Sequence, residues 1–318
     1  MKIIVNKPRR MLMDTSVSLI GKVMAAVFPR KMKERVAPFE EFCGRFTFDE
    51  KRYGNLAVEV ECFIVDKDGA VVPRAHDVLD QFGLAGWEQL KMEHPGDVAY
   101  RDHDSGIVAK NELSGCQLEI NTRPCETVAE LRQQLTYAYR QIAAMCSKLG
   151  LRPWYHEFGP KDMPLDVFPS ERYHKIVKKW KRKRRLAACR VTATHIHVGM
   201  LNKTVALKVY NWLVQHCKQL CAMGDHSEGQ RLAAFKETIY PQSRPEPYQD
   251  WQAFYATAVK RGFTVDIRQC WTLIRISKHG TIEFRMFGST PSIDEIIGWA
   301  EHCRNLCMQA AVPQGMIM

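Results

Sequence analysis

Four short stretches alternate apolar and polar residues, and in each the charge keeps to one parity. Successive side chains of an extended chain point to opposite faces. In the run from Val191 to Met200, His195 and His197 therefore share a face, opposite Thr194, Ile196, Val198 and Met200. From Leu56 to Val65, Glu59 and Glu61 oppose Val58, Val60, Cys62 and Ile64. From Gln117 to Asn121, Glu119 and Asn121 oppose Leu118 and Ile120, and from Thr281 to Phe287, Glu283 and Arg285 oppose Ile282, Phe284 and Met286. A sheet joining these strands has one apolar face for covering helices and one face crowded with acids, imidazoles and an arginine.

Other elements follow from caps and spacing. Thr127 and Glu130 form a capping box before the stripe Leu131, Leu135, Ala138, Ile142 and Met145, which predicts a helix ending near Gly150. Asn202 caps a second helix reaching Leu220, Ser292 and Glu295 cap a terminal one, and a helix from about Ser170 is expected to carry a basic run. Apolar positions between Ser16 and Phe28 recur at helical spacing until Pro29. Arg152 to Phe158 and Thr272 to Ser277 are expected strands, and Asp68-Gly69 marks a hairpin turn after Val65. Residues 73–108 show no assignable pattern, and residues 224–247 are expected to be an irregular loop. About six strands in hairpins, separated by long helices, imply a single α+β domain on a largely antiparallel sheet, its outer face covered by helices. Residues 1–50 are expected to form an N-terminal helical extension and 51–318 the main domain.

Composition adds two constraints. The net charge of the 318 residues is +11, yet the run from Lys178 to Arg185 around Trp180 alone contributes +7. Basicity is therefore local, and the run is a candidate contact for nucleic acid or another anionic partner. The eleven cysteines form no C-x-x-C pair and several sit in apolar patterns, as expected of buried thiols in a cytoplasmic protein. No uncharged apolar run is long enough for a membrane span.

Crowded carboxylates repel, and an unpaired charge held away from water costs several kcal/mol, so the polar face calls for cations. Oxygen-rich sites with a minority of nitrogen suit Mg²⁺, with Mn²⁺ an alternative, whereas zinc favours nitrogen and sulfur.

The ordered set Glu59-x-Glu61, Glu112, Glu119-Ile120-Asn121-Thr122, His195-x-His197-Val198-Gly199 and Thr281-Ile282-Glu283-Phe284-Arg285 resembles the type 2 glutamate-cysteine ligases, a family of carboxylate-amine ligases with a glutamine-synthetase-like catalytic fold. The resemblance covers roughly residues 54–305. It implies a curved sheet shaped as an active-site funnel, ATP and two or three Mg²⁺ ions, small-molecule carboxylate and amine substrates, and amide formation through an acyl phosphate. It further implies that Glu59, Glu61, Glu112, Glu119, His195 and Glu283 are metal ligands and that Arg285, with Glu283, serves catalysis at the transferring phosphoryl group. Asn121, His197, Trp271 and Arg275 are the implied nucleotide or substrate contacts, although Trp271 and Arg275 stand one residue further apart than the family pattern. The N-terminal fifty residues and the basic run depart from that pattern. A catalytically silent relative that binds an anionic partner, or a phosphotransferase on the same fold, are the alternatives, and a homo-oligomer is left open.

Overall fold

The apolar parity of the central strands fixes the layering. The computed structural model describes residues 35–178, 180–239 and 244–312, so the helix expected over 16–28 lies outside the described residues. Nine strands form one sheet: β1 (Leu56–Val65), β2 (Glu88–Gln89), β3 (Ala99–Arg101), β4 (Val108–Asn111), β5 (Gln117–Asn121), β6 (Arg152–Trp154), β7 (Ala193–Gly199), β8 (Ile274–Ile276) and β9 (Thr281–Gly288). Their order is β2-β3-β4-β5-β1-β7-β9-β8, and every pairing is antiparallel.

β1 occupies the middle. It pairs with β5 along one edge, and along the other with β7 at Leu56–Val60 and β6 at Phe63–Val65. The residues Val58, Val60, Cys62 and Ile64 are wholly buried, as their parity requires. Helices α1 (Phe39–Gly44), α2 (Ala75–Leu84) and α3 (Val128–Ser147) come first in the chain. Of these, α3 packs on β1 and β6. At its start the Thr127 hydroxyl accepts from the Glu130 amide, while the Glu130 carboxylate accepts from the Glu126 amide, one residue before the expected partner.

Several expectations need correction. The sheet has nine strands rather than about six, because residues 75–111 contribute α2 and the short strands β2, β3 and β4, whose few residues leave little alternation to detect. The strand expected to reach Phe158 stops at Trp154, and the one expected after the Asp-Gly turn shrinks to a single bridge between Val65 and Val71. The basic helix is two helices, α4 (Glu171–Val177) and α5 (Arg182–Cys189), because Lys181 leaves the helical region (φ −67°, ψ 156°). Consecutive like charges give a continuous helix no electrostatic support there. The helix after Asn202 likewise divides at Gln215-His216 into α6 (Lys203–Val214) and α7 (Cys217–Met223).

The segment expected to be irregular contains α8 (Gln230–Ile239), which buries Arg231, Phe235, Thr238 and Ile239 at helical spacing. α9 (Trp251–Arg261) and α10 (Ile293–Ala311) complete the described helices; α10, capped by Ser292, packs on β7, β1 and α3. Residues from Ala37 onward belong to one compact unit, and α1 packs against α9 within it. Residues 37–50, grouped above with an N-terminal extension, are therefore part of this unit. All eleven cysteines are unpaired, and nine are buried. No described helix is long and apolar enough to cross a membrane.

Candidate active site

Strand register gathers the polar residues that sequence alone leaves far apart. On β1, Glu59 stands opposite Asn121 on one side and His195 on the other, while Glu61 faces Glu119. On β9, Glu283 stands between His197 of β7 and Arg275 of β8, and Lys110 of β4 faces Glu119. A register shift between Thr194 and Ile196 interrupts the pairing of β7 with β9 beside His195.

All eleven residues singled out above line a single cavity of about 360 Å³. A second cavity, of about 660 Å³, shares Glu59, Asn121, His197 and His279 with the first and is bordered by Arg52, Arg101 and Arg123. The polar face of the sheet thus opens in two directions.

Two acidic triads stand side by side. Glu59, His195 and Glu283 bring one potential ligand atom each within 4.8 Å of one another, and so do Glu61, Glu112 and Glu119. In the first triad charge is largely compensated. His195 Nδ1 lies 3.0 Å from Glu59 Oε2, and His197 Nε2 lies 3.5 Å from Glu59 Oε1. Arg275 Nε donates to Glu283 Oε2 at 2.6 Å and Arg285 Nη1 to Oε1 at 2.5 Å. Burial opposes ionisation of both acids, but Lys110 and the imidazoles hold Glu59 well below the usual carboxylate range, and the two arginines hold Glu283 low. Burial and the Arg285 charge push His195 down to about 4. His197 rises instead, because Glu283 and Glu59 outweigh its burial.

The second triad is short of cations. Lys110 Nζ, 2.7 Å from Glu119 Oε1, is its direct partner. Burial, followed by the charge of Glu119, raises Glu61 to about 8. Glu119 is raised well above the ordinary range, since burial and the charges of Glu59 and Glu112 exceed the help from Lys110. A cation bound among three carboxyl groups relieves this strain, and oxygen ligands of this kind suit a hard divalent ion. The buried Asn121 Oδ1 has no hydrogen-bond partner among the described residues, leaving further acceptor capacity at the same face. The donor chemistry therefore fits divalent metal best at Glu61, Glu112 and Glu119. In the first triad both Glu283 oxygens are already engaged by arginine.

Arg275 also donates to the carbonyls of Arg268 and Cys270, and the Arg285 guanidinium lies 6.0 Å from the Trp271 ring. Several cavity residues were not foreseen. Lys110 precedes Glu112 by two positions, but it lies on the four-residue strand β4, too short for its alternation to stand out. Lys278 and His279 sit in the turn before β9 and also line the cavity. Arg231 was hidden in the segment expected to be a loop. It is 2% exposed, and its guanidinium donates to the carbonyls of Thr192, Met286 and Arg285, tying α8 to β7 and β9.

An antiparallel sheet whose apolar face is covered by helices and whose polar face gathers acid triads, buried arginines and imidazoles around one cavity defines an α+β chain. Comparison with known proteins specifies the family. The sequence profile of glutamate-cysteine ligase family 2 (GCS2) matches residues 56–224, more than half of the chain, and the chain belongs to that family. It is 26% identical over 270 residues to a protein of Gloeobacter violaceus named "Putative glutamate--cysteine ligase 2", covering 79% of this chain and 66% of the relative. A protein of the same name from Thermobifida fusca is 24% identical over 270 residues, covering 78% and 62%. The matches thus span just under two thirds of these relatives' length. Among solved structures, a bifunctional glutathione synthetase from Pasteurella multocida superimposes with a TM-score of 0.55 and 11% identity over 86% of this chain and 39% of that one, a likeness of fold.

Proposed function

We propose that this chain is an ATP-dependent carboxylate-amine ligase working through an acyl phosphate. The observation that carries the reading is the convergence, in one cavity, of two acid triads with Arg275 and Arg285. Phosphoryl transfer depends mainly on positioning and on neutralising negative charge.

In this reading a substrate carboxylate oxygen attacks the γ-phosphorus of ATP, and the bond to the β–γ bridging oxygen breaks to release ADP. The amine nitrogen then attacks the acyl carbon; phosphate leaves, the nitrogen loses a proton, and an amide remains. Glu61, Glu112 and Glu119 would hold one Mg²⁺ or Mn²⁺; at Glu59, His195 and Glu283 a second ion would have to replace an arginine contact to Glu283. Bound there, the metal supplies charge neutralisation for the polyphosphate. Arg285 keeps its buried Nε without a partner among the described residues, a free donor for a phosphoryl oxygen. Arg275 directs Nε to Glu283 and Nη1 to the Arg268 and Cys270 carbonyls, so its role is to hold Glu283 in place, with nucleotide contact left to Asn121, His197 and Trp271.

The test is phosphate and ADP release with and without a panel of amines, alongside calorimetric titration of a non-hydrolysable ATP analogue in the presence and absence of Mg²⁺. Amine-dependent release together with Mg²⁺-dependent nucleotide binding supports the ligase. Amine-independent phosphoryl transfer points to a phosphotransferase, and absence of nucleotide binding rejects both.

A further inference from the structure

The basic run is a charged feature that the proposed chemistry leaves unused, and its Trp180 sits at the edge of the cavity. Trp180, Ala188 and Thr238 line that cavity. The Arg184 guanidinium lies 4.5 Å over the Trp180 ring and its Nε donates to the Thr238 carbonyl at 2.6 Å. Residues three, four and seven apart share a helical face, so Arg185, Arg184 and Lys181 continue the stripe that begins at Ala188.

Little in the protein balances this charge. Lys183 pairs with Glu237 at 3.1 Å, both well exposed. Lys178, Lys181 and Arg182 are exposed and make no ion pair among the described residues. Arg185 Nε is buried without a hydrogen-bond partner among the described residues, and so is Nε of Arg172, which lines the cavity. The placement is also unfavourable locally. The cations occupy the first turn of α5, whose N-cap Lys181 makes no side-chain cap bond, and a helix N-terminus disfavours positive charge. Such an arrangement is relieved by an anion that spans several of these groups.

We infer that the surface formed by Lys178, Lys181, Arg182 and Arg185 docks an acidic peptide segment whose reacting carboxylate enters the cavity beside it. The inference rests on the ligase reading for its choice of partner. A carboxylate is what that reaction consumes, and an extended acidic peptide carries several at roughly 3.3–3.6 Å of chain per residue, so neighbours can stay on the rim while one goes in. Single-stranded nucleic acid matches the charge, but it binds by stacking bases on open aromatic faces, and the Trp180 ring already carries Arg184.

The test compares a fluorescent oligoglutamate peptide with a single-stranded oligonucleotide of equal charge, by anisotropy at low and raised salt. The full chain is used, as wild type and as the Lys178→Gln, Lys181→Gln, Arg182→Gln, Arg185→Gln variant. Wild type should bind the peptide more tightly than the oligonucleotide, and the variant should weaken peptide binding by about tenfold or more. A double variant at exposed positions, Lys178→Glu with Arg182→Glu, should weaken it at least as much and guards against a folding defect in the first. In turnover with ATP and an amine, KM for the peptide should rise in parallel, while KM for free glutamate changes less than about twofold. Equal peptide binding by wild type and both variants, or tighter binding of the oligonucleotide, overturns the proposal. If the peptide binds through the run yet no carboxylate is turned over, the ligase reading has failed and the docking surface stands.

Discussion

The two acid triads share a sheet face and differ in how their charge is met. Glu59 and Glu283 are held ionised by Lys110, two histidines and two arginines, whereas burial and neighbouring acids push Glu61 and Glu119 toward the protonated form despite Arg231 and Arg285 near Glu61 and Lys110 beside Glu119. Residue type is nearly constant between the two, so the neighbouring strands decide. β8 and β9 bring two arginines into direct contact with Glu283 of one triad, and β4 brings one lysine into direct contact with Glu119 of the other. The first triad meets its charge with side chains of the sheet itself, and the second leaves its carboxyl groups under-compensated.

The largest effect should come from breaking the compensated triad. Glu283→Gln removes the shared partner of two buried guanidinium groups and should cost about 3–5 kcal/mol in urea-induced unfolding. A loss below about 1 kcal/mol would mean that the arginines find other partners. Completing the other triad should have a somewhat smaller effect. Mg²⁺ at a hundredfold over its dissociation constant should stabilise the protein by about 2.7 kcal/mol, and Glu119→Gln should remove most of that gain in a thermal shift measurement.

The smallest effect is in pH dependence, where the triads carry opposite signs. Glu61 has its folded pKa raised from 4.5 to about 8, so its contribution is full below pH 4.5 and is lost as pH rises toward 8. His195 is depressed from 6.5 to about 4, so its contribution is present above pH 6.5 and is lost as pH falls toward 4. Measured in chelator, Glu61→Gln should flatten the fall in stability between pH 4.5 and about 8. His195→Gln should flatten the acid limb alone.

The sequence revealed the strands whose alternation is long and whose charge keeps one parity. β1 and β5 fall where the pattern puts them, and β7 and β9 within a residue or two at each end. The candidate residues were legible for the same reason, since register alone brings Glu59 to His195 and Glu283 to His197. Compensation was not legible. Lys110 lies on a four-residue strand, and Arg231 is buried on a helix whose inward stripe begins with a charge, against the rule that buried stripes are apolar. Both act through partners distant in the chain, and pattern along one segment carries no information about them. The break at Lys181 was equally hidden, because a run of cations is compatible with one exposed helix or two.

The central place of β1 also bears on how the protein reaches its native state. Glu59 and its partner His195 are separated by 136 residues, and β5 intervenes on the opposite edge. During synthesis, β1 therefore waits with one edge open until β7 has emerged, in a topology rich in distant contacts and correspondingly slow to close. A slip of one residue during that wait would turn Glu59 and Glu61 into the apolar layer and Val58 and Val60 into the cavity. The alternation that builds the site is thus also the proofreading signal for its assembly.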